Sequence, residues 1–275
     1  SRLRPPSYPT AQLRRVRDIN RDRLAPAIHT AIRIASAVVR SLLDTVPGPA
    51  VLPAEGLRWR EQIGRIGTAP TLTDIVADLW KRGIPVVPLD VLPTPGFQGM
   101  ACIVENRPVL LLGYKYDEPG RAAFLVAHEA GHVAAGDCAP DQPVVDEEDE
   151  ITDDTEIERR ADLYATAVLV GDPNVPQVDG VGSKDFKELA RQASDLERTA
   201  GADASSVIFS WARRTGDYAT ATMAVKALYR STGARKQVRE LFDRHVDLGA
   251  ATETDRTLLL CVHGERASAL DEAAR

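Results

Sequence analysis

Apolar positions recur at helical spacing along most of the chain, which predicts a helix-rich molecule with one short block of strands. Between Ala11 and Leu43 the pattern is carried by Leu13 and Val16, then Ile28, Ile32, Ala35, Val39 and Leu42. Pro26 lies inside this run and predicts a break or a second helix start, because proline has no N–H to give. The first ten residues are Pro-rich and read as irregular, and Val46-Pro47-Gly48-Pro49 reads as a linker. Leu57–Ile66 and Thr73–Arg82 are the next helical stretches, the second stopped by Gly83.

The pattern then changes to strands. Ile84–Leu89 is β-rich but carries Pro85 and Pro88, which predicts an edge position. Met100–Val104 and Pro108–Leu112, joined by Glu105-Asn106-Arg107, predict a hairpin. Asp117-Glu118-Pro119 has the character of a helix N-terminus and opens a helix running to about Ala135. An acidic loop follows, then a helix over Glu156–Val170 ended by Gly171-Asp172-Pro173. Beyond a Gly-rich link at 180–183, helices are predicted at Lys184–Thr199, Asp203–Arg214, Tyr218–Ser231, Arg235–Leu248 and Glu253–Val262. Trp59, Trp80 and Trp211 fall in helical patterns as core residues. The expected fold class is α+β and helix-rich. A core with a small sheet over 51–180 is flanked by an N-terminal helical region, 1–50, and a C-terminal one, 181–275.

Composition narrows the classes of function. The chain has 275 residues, 34 basic and 40 acidic, for a net charge of -6. That balance argues against a protein that coats nucleic acid or docks on a membrane through basic residues. No apolar stretch is long enough to span a bilayer, and no signal peptide is visible. Cys102, Cys138 and Cys261 are too few and too scattered for a disulfide framework, so a cytoplasmic setting is expected. The acidity is concentrated: nine of the thirteen residues from Asp146 to Glu158 are acidic. Without them, 34 basic residues face 31 acidic ones and the balance is +3. The segment reads as a solvated loop, or as one that binds a basic partner, occludes the cleft or senses a cation. Residues 1–23 hold seven Arg, read as an amphipathic helix or a basic arm, and no helix-turn-helix is found.

The chemistry is carried by His128-Glu129-Ala130-Gly131-His132, an H-E-x-x-H motif. The preceding Arg121–Ala127 is helical in pattern, and on a helix positions i and i+4 share a face, so both imidazoles can meet one Zn2+. Zinc lowers the pKa of a coordinated water to about 7, and Glu129 stands beside the ligands to take its proton. His29, His245 and His263 lack ligand spacing.

A third ligand is needed. The extended motif H-E-x-x-H-x-x-G-x-x-H would place glycine at Ala135 and histidine at Cys138, so that frame fails. Cys138 is a poor ligand candidate and reads better as a buried thiol. Glu158 and Asp162 are four apart on the next helix and share a face. Glu158 is the candidate ligand, and Asp162 the acceptor for the free N–H of a ligand histidine. Thr155-Glu-Ile-Glu158 is also a capping box, which offers Glu158 a purely structural role, and Glu156 and Asp154 are fallback ligands. Tyr114, Tyr116 and Tyr164 are candidates to stabilise an oxyanion, with packing as the alternative for each.

The order of these pieces resembles the ImmA/IrrE family of bacterial and phage zinc metallopeptidases. The matching stretches are Trp80-Lys-Arg-Gly-Ile-Pro-Val-Val87, the hairpin Gly99–Leu112, Arg121–His132 and Glu158-Arg-Arg-Ala-Asp-Leu-Tyr-Ala165, within residues 71–171. The resemblance implies a zincin-like, gluzincin-like peptidase core. It implies His128, His132 and Glu158 as zinc ligands and Glu129 as general base. It also implies a helix-turn-helix transcriptional repressor as substrate. Family members often have a Leu-His-type ending after the first motif and Leu-Met-Pro after the second. Here those places read Gly136-Asp137 and Val168-Leu-Val-Gly171.

The expected function is therefore zinc-dependent hydrolysis of a peptide bond, with site-specific cleavage of a repressor in a regulatory or stress response. The alternative is a metal-containing regulatory protein that binds a repressor or helical partner through residues 184–262 without cutting it.

Overall fold

A computed structural model describes residues 18–64, 68–90, 92–94, 96–113, 117–139, 143–146, 156–171, 178–228, 233–260 and 262. The Arg-rich and Pro-rich start of the chain up to residue 17, Tyr114, Tyr116, residues 147–155, Cys261 and His263 lie outside these.

Three helices come first: α1 (Asp18–Arg40), α2 (Gly56–Ile63) and α3 (Leu72–Lys81). Helix α1 runs through Pro26 without interruption, so the predicted break does not occur. Proline removes one hydrogen bond, but Leu24, Ala27, Ile28, Ala31, Ile34, Ala35 and Val38 form a continuous buried stripe, and burial of that stripe outweighs the lost bond. Helix α3 opens on a capping box between Thr71 and Asp74 and stops at Gly83, which has φ 67°.

The strands are β1 (Val86–Pro88), β2 (Gly99–Val104), β3 (Arg107–Leu112) and β4 (Val144–Asp146), in the order β1-β3-β2-β4. β1 runs parallel to β3, while β2 is antiparallel to both β3 and β4. β1 lies at one edge, as its prolines predict. The hairpin turn falls on Glu105 and Asn106, with φ of 49° and 62°, the left-handed pair that a two-residue hairpin loop demands. β4 was not anticipated from the sequence: the acidic segment begins one residue inside a strand, with Asp146 opposite Gly99 of β2.

The remaining helices are α4 (Pro119–Ala135), α5 (Glu156–Leu169), α6 (Phe186–Ala200), α7 (Ala204–Thr215), α8 (Tyr218–Leu228), α9 (Ala234–Asp243) and α10 (Glu253–Leu260). Helices α1 and α4 both pack on β2 and β3. Helices α6, α7 and α8 pack on one another, and α7 also meets α4. Helix α9 covers β1 and α3, and α10 returns to α1. There Arg40 pairs with the buried Asp255 at 2.5 Å, and Leu42 bridges Val246. One cluster of buried apolar residues runs from Leu24 through the sheet to Val262, so both helical flanks share the core of the sheet. Trp59, Trp80 and Trp211 are buried in it as expected. His245 is packed too, its ring stacked 4.5 Å from that of Trp80. Among the described residues no helix is long and apolar enough to cross a membrane.

If α1 belongs to this common core, Ile34→Ala should cost about 2–5 kcal/mol in urea unfolding, in a single cooperative transition.

Candidate metal centre

Helices α4 and α5 meet at small residues. A Cβ on Gly131 would lie 3.2 Å from Ala161 Cα and 3.2 Å from Tyr164 Cβ, so this glycine eases a close approach that a side chain would crowd. Ala161 is itself buried and small. At this spacing Glu158 and Asp162, one turn apart on α5, reach the two imidazoles of α4.

The geometry is specific. His128 Nε2 lies 3.1 Å from Glu158 Oε2, and His132 Nε2 lies 3.5 Å from the same oxygen. The two Nε2 atoms are 3.1 Å apart. On the far side of the rings, His128 Nδ1 is 2.7 Å from Asp162 Oδ1 and His132 Nδ1 is 3.1 Å from Asp137 Oδ2. Asp137 Oδ1 accepts from Arg160 Nη2 at 2.5 Å. Both histidines are fully buried.

These contacts set the tautomers. An ionised carboxylate only accepts, so each Nδ1 facing one carries the hydrogen, and each neutral ring then has its lone pair on Nε2. With both rings neutral, His128, His132 and Glu158 turn three lone-pair atoms toward one point, all within 4.8 Å of one another; without a cation, a proton on an Nε2 is what Glu158 accepts. Such a convergence is resolved by a cation, and the three residues form a possible metal-binding triad.

The electrostatics follow the same arrangement. Burial pushes Glu158 upward, but its hydrogen bonds with His128 and His132 prevail and hold it far below the usual carboxylate range. Burial lowers His132, yet its hydrogen bonds with Asp137 and Glu158 outweigh that and leave its pKa raised. Burial also raises Asp137, and the hydrogen bonds from His132 and Arg160 more than reverse the effect.

Glu129 is fully buried and faces β2. A Cβ on Gly99 would overlap its Oε1 and would stand 2.8 Å from Leu125 Cδ1, so the strand clears Glu129 only because residue 99 is glycine.

The other sequence candidates fall as follows. The Glu158 carboxylate lies on the two imidazoles; Thr155, its partner in the capping box, and Asp154 are outside the described residues. Glu156 is exposed and pairs with Arg159. Cys138 is buried and outside the triad, and burial together with the charge of Glu129 pushes its thiol up, keeping it protonated. Cys102 is pushed up to about 12 by the same two causes. Tyr164 donates its hydroxyl to the Pro53 carbonyl at 3.0 Å and packs its ring 5.9 Å from Trp59, which is the packing alternative. Tyr114 and Tyr116 are outside the described residues. Sequence reasoning passed over Asp137, Arg160 and Gly99. The signal for the first was the Gly136-Asp137 pair four residues past the motif, where a glycine stop places a carboxylate one turn from His132. No protein-family model and no curated protein matches the chain.

Purified protein should take up one divalent cation per chain, and His128→Ala should weaken its binding by more than about 100-fold in chelator competition, a larger loss than an orienting partner causes. The raised pKa means His132 keeps a proton to higher pH than a free imidazole, and the metal must displace it. Affinity should therefore rise as pH climbs through the imidazole range and fall below it. Gly99→Ala should leave metal affinity near wild type in chelator competition, because it displaces Glu129 and none of the three candidate ligands.

Proposed function

We propose that the protein is a zinc-dependent endopeptidase with a zincin-like, gluzincin-like core. The observation that carries this reading is the convergence of His128, His132 and Glu158 beside a buried Glu129. Two imidazoles and one carboxylate are a donor set used by catalytic zinc, which leaves a fourth position open. Zn–N and Zn–O bonds of about 2.0–2.1 Å in a tetrahedron put ligand atoms about 3.3–3.4 Å apart. The separations here are 3.1, 3.1 and 3.5 Å, so the residues present fit zinc.

When bound, zinc supplies Lewis acidity, making a water more acidic and a peptide carbonyl more electrophilic. The chain does the rest. His128 and His132 would hold the metal through Nε2 and Glu158 through Oε2, the atoms that converge. Asp162 keeps the proton of His128 on Nδ1. Glu129 accepts the proton of the attacking water on its carboxylate and delivers it to the leaving amine. Glu158 and Glu129 are both carboxylates of one site, separated in role by environment: one lies against two imidazoles, the other against a glycine strand.

The resemblance to ImmA/IrrE peptidases supports a helix-turn-helix repressor as substrate, with cleavage serving transcriptional control. Two buried free thiols accord with a reducing, cytoplasmic setting.

The test is incubation of the protein and zinc with a candidate repressor, with product masses read by mass spectrometry. Glu129→Gln should retain zinc and lose about 10²–10⁴-fold in turnover. Full regulatory activity in cells for Glu129→Gln, with no cleaved product, would instead support action by binding alone.

A further inference from the structure

Helix α4 ends three residues beyond the second histidine in a specific way. Gly136 adopts φ 73° and ψ 25°. Its N–H donates to Val133 O at 3.1 Å, and the Asp137 N–H donates to His132 O at 3.0 Å. This is the Schellman pattern, which folds the residue after a left-handed glycine back over the residue five positions earlier. The side-chain contact between those two positions is commonly apolar. Here it joins Asp137 to His132, a metal-ligand candidate, at 3.1 Å.

Asp137 is not free to turn away. Its side chain is only 7% exposed, and its second oxygen is held by Arg160 at 2.5 Å. Arg160 stands on α5 between Glu158 and Asp162. One short stretch of α5 therefore presents a ligand, a guanidinium and a carboxylate to the H-E-x-x-H helix.

We propose that Asp137, clamped by Arg160, is the positioning residue for His132. The helix terminus sets Asp137 under the ring, the carboxylate fixes the hydrogen on Nδ1, and Nε2 is aimed at the point where Nε2 of His128 and Oε2 of Glu158 converge. Asp162 performs the same service for His128 from the other helix. The inference rests on the triad being a metal site. It goes beyond that reading by assigning the Gly136-Asp137 ending and Arg160 a part in holding the metal.

The experiment uses the full chain loaded with zinc, and in parallel with cobalt as a visible probe. Variants are Asp137→Ala, Asp137→Asn, Arg160→Gln, Arg160→Lys and the double variant Asp137→Ala with Arg160→Gln. Zinc affinity is read by chelator competition and ligand geometry by the cobalt absorption bands. Asp137→Ala should weaken zinc binding about 10–100-fold and alter the cobalt bands. Asp137→Asn retains an acceptor without the charge and should fall between Asp137→Ala and wild type. Arg160→Gln should weaken binding several-fold, and Arg160→Lys should restore most of that loss. The double variant should match Asp137→Ala, because Arg160 acts through Asp137.

Asp137→Ala and Asp137→Asn both within about threefold of wild type, with unchanged cobalt bands, would overturn the proposal. Full addition of the Arg160→Gln loss to that of Asp137→Ala would remove Arg160 from it. If Asp137→Ala does not fold, Asp137→Asn decides, being of the same size. A wild-type chain that takes up no zinc overturns the metal reading itself, whereas zinc uptake indifferent to Asp137 overturns this inference alone.

Discussion

The contact of Gly131 with Ala161 is the constraint on which the site depends. The two residues are about thirty positions apart in sequence, and each belongs to a motif whose chemistry is useless without the other. A Cβ at Gly131 would stand 3.2 Å from Ala161 Cα, tight enough to press on the α4–α5 seam beside a cluster whose candidate ligand atoms stand 3.1–3.5 Å apart. The fold guards this approach from behind. Helix α2 lies so close to α5 that a Cβ on Gly56 would stand 3.0 Å from Ala167 Cβ. Arg60 of α2 donates to Val168 O and Gly201 O, at 2.8 and 2.6 Å, which binds the carboxyl ends of α5 and α6 to one guanidinium. These last-turn carbonyls would otherwise need water or a cap. Sliding α5 along α4 would break them and move Glu158 off the imidazoles together.

Burial gives the site its chemical character. Two imidazoles and two carboxylates held in or near an apolar interior would be costly if left without partners. Carboxylates on the outer ring nitrogens remove that cost for the histidines and direct both lone pairs inward. The result is a cluster strained only toward positive charge. Glu129 is placed by a different device, the missing side chain of Gly99, which brings the backbone of β2 against it. Since Gly99 also pairs with Asp146 of β4 and Leu112 of β3, the sheet is what locates the carboxylate.

Much of this was legible in the sequence because it depends on local periodicity and on residue types with narrow uses. The H-E-x-x-H helix, the Glu158–Asp162 pair, the hairpin and the edge position of β1 all follow from spacing and from proline chemistry. What was not legible depends on partners distant in the chain. β4 has three residues and exists because β2 offers an edge to it. Pro26 looked like a stop, yet the buried stripe across it carries the helix on. Tyr164 reads from the sequence as a packing residue with an oxyanion role as the other candidate, and the carbonyl of Pro53 on its hydroxyl accords with packing. Asp137 is the intermediate case. Its neighbour Gly136 advertised a helix end, but only the folded-back chain shows that the helix end and the candidate ligand His132 are one hydrogen-bonded unit.

The charge of the molecule gains meaning from the same connections. Nine acids account for more than the whole net charge of -6 and lie between Asp146 and Glu158. The first of them is paired with Gly99, the glycine that admits Glu129, and the last is itself a metal-ligand candidate. Residues 147–155 are outside the described residues; Asp146, at one end of that stretch, pairs with Gly99 in the sheet, and Glu158 stands two residues beyond its other flank, Glu156. Negative potential there favours cations and basic segments over acidic ones, and the effect is strongest where the protein excludes water. A repressor that binds DNA carries a basic surface by necessity. The acidic segment and the proposed substrate are therefore complementary in sign.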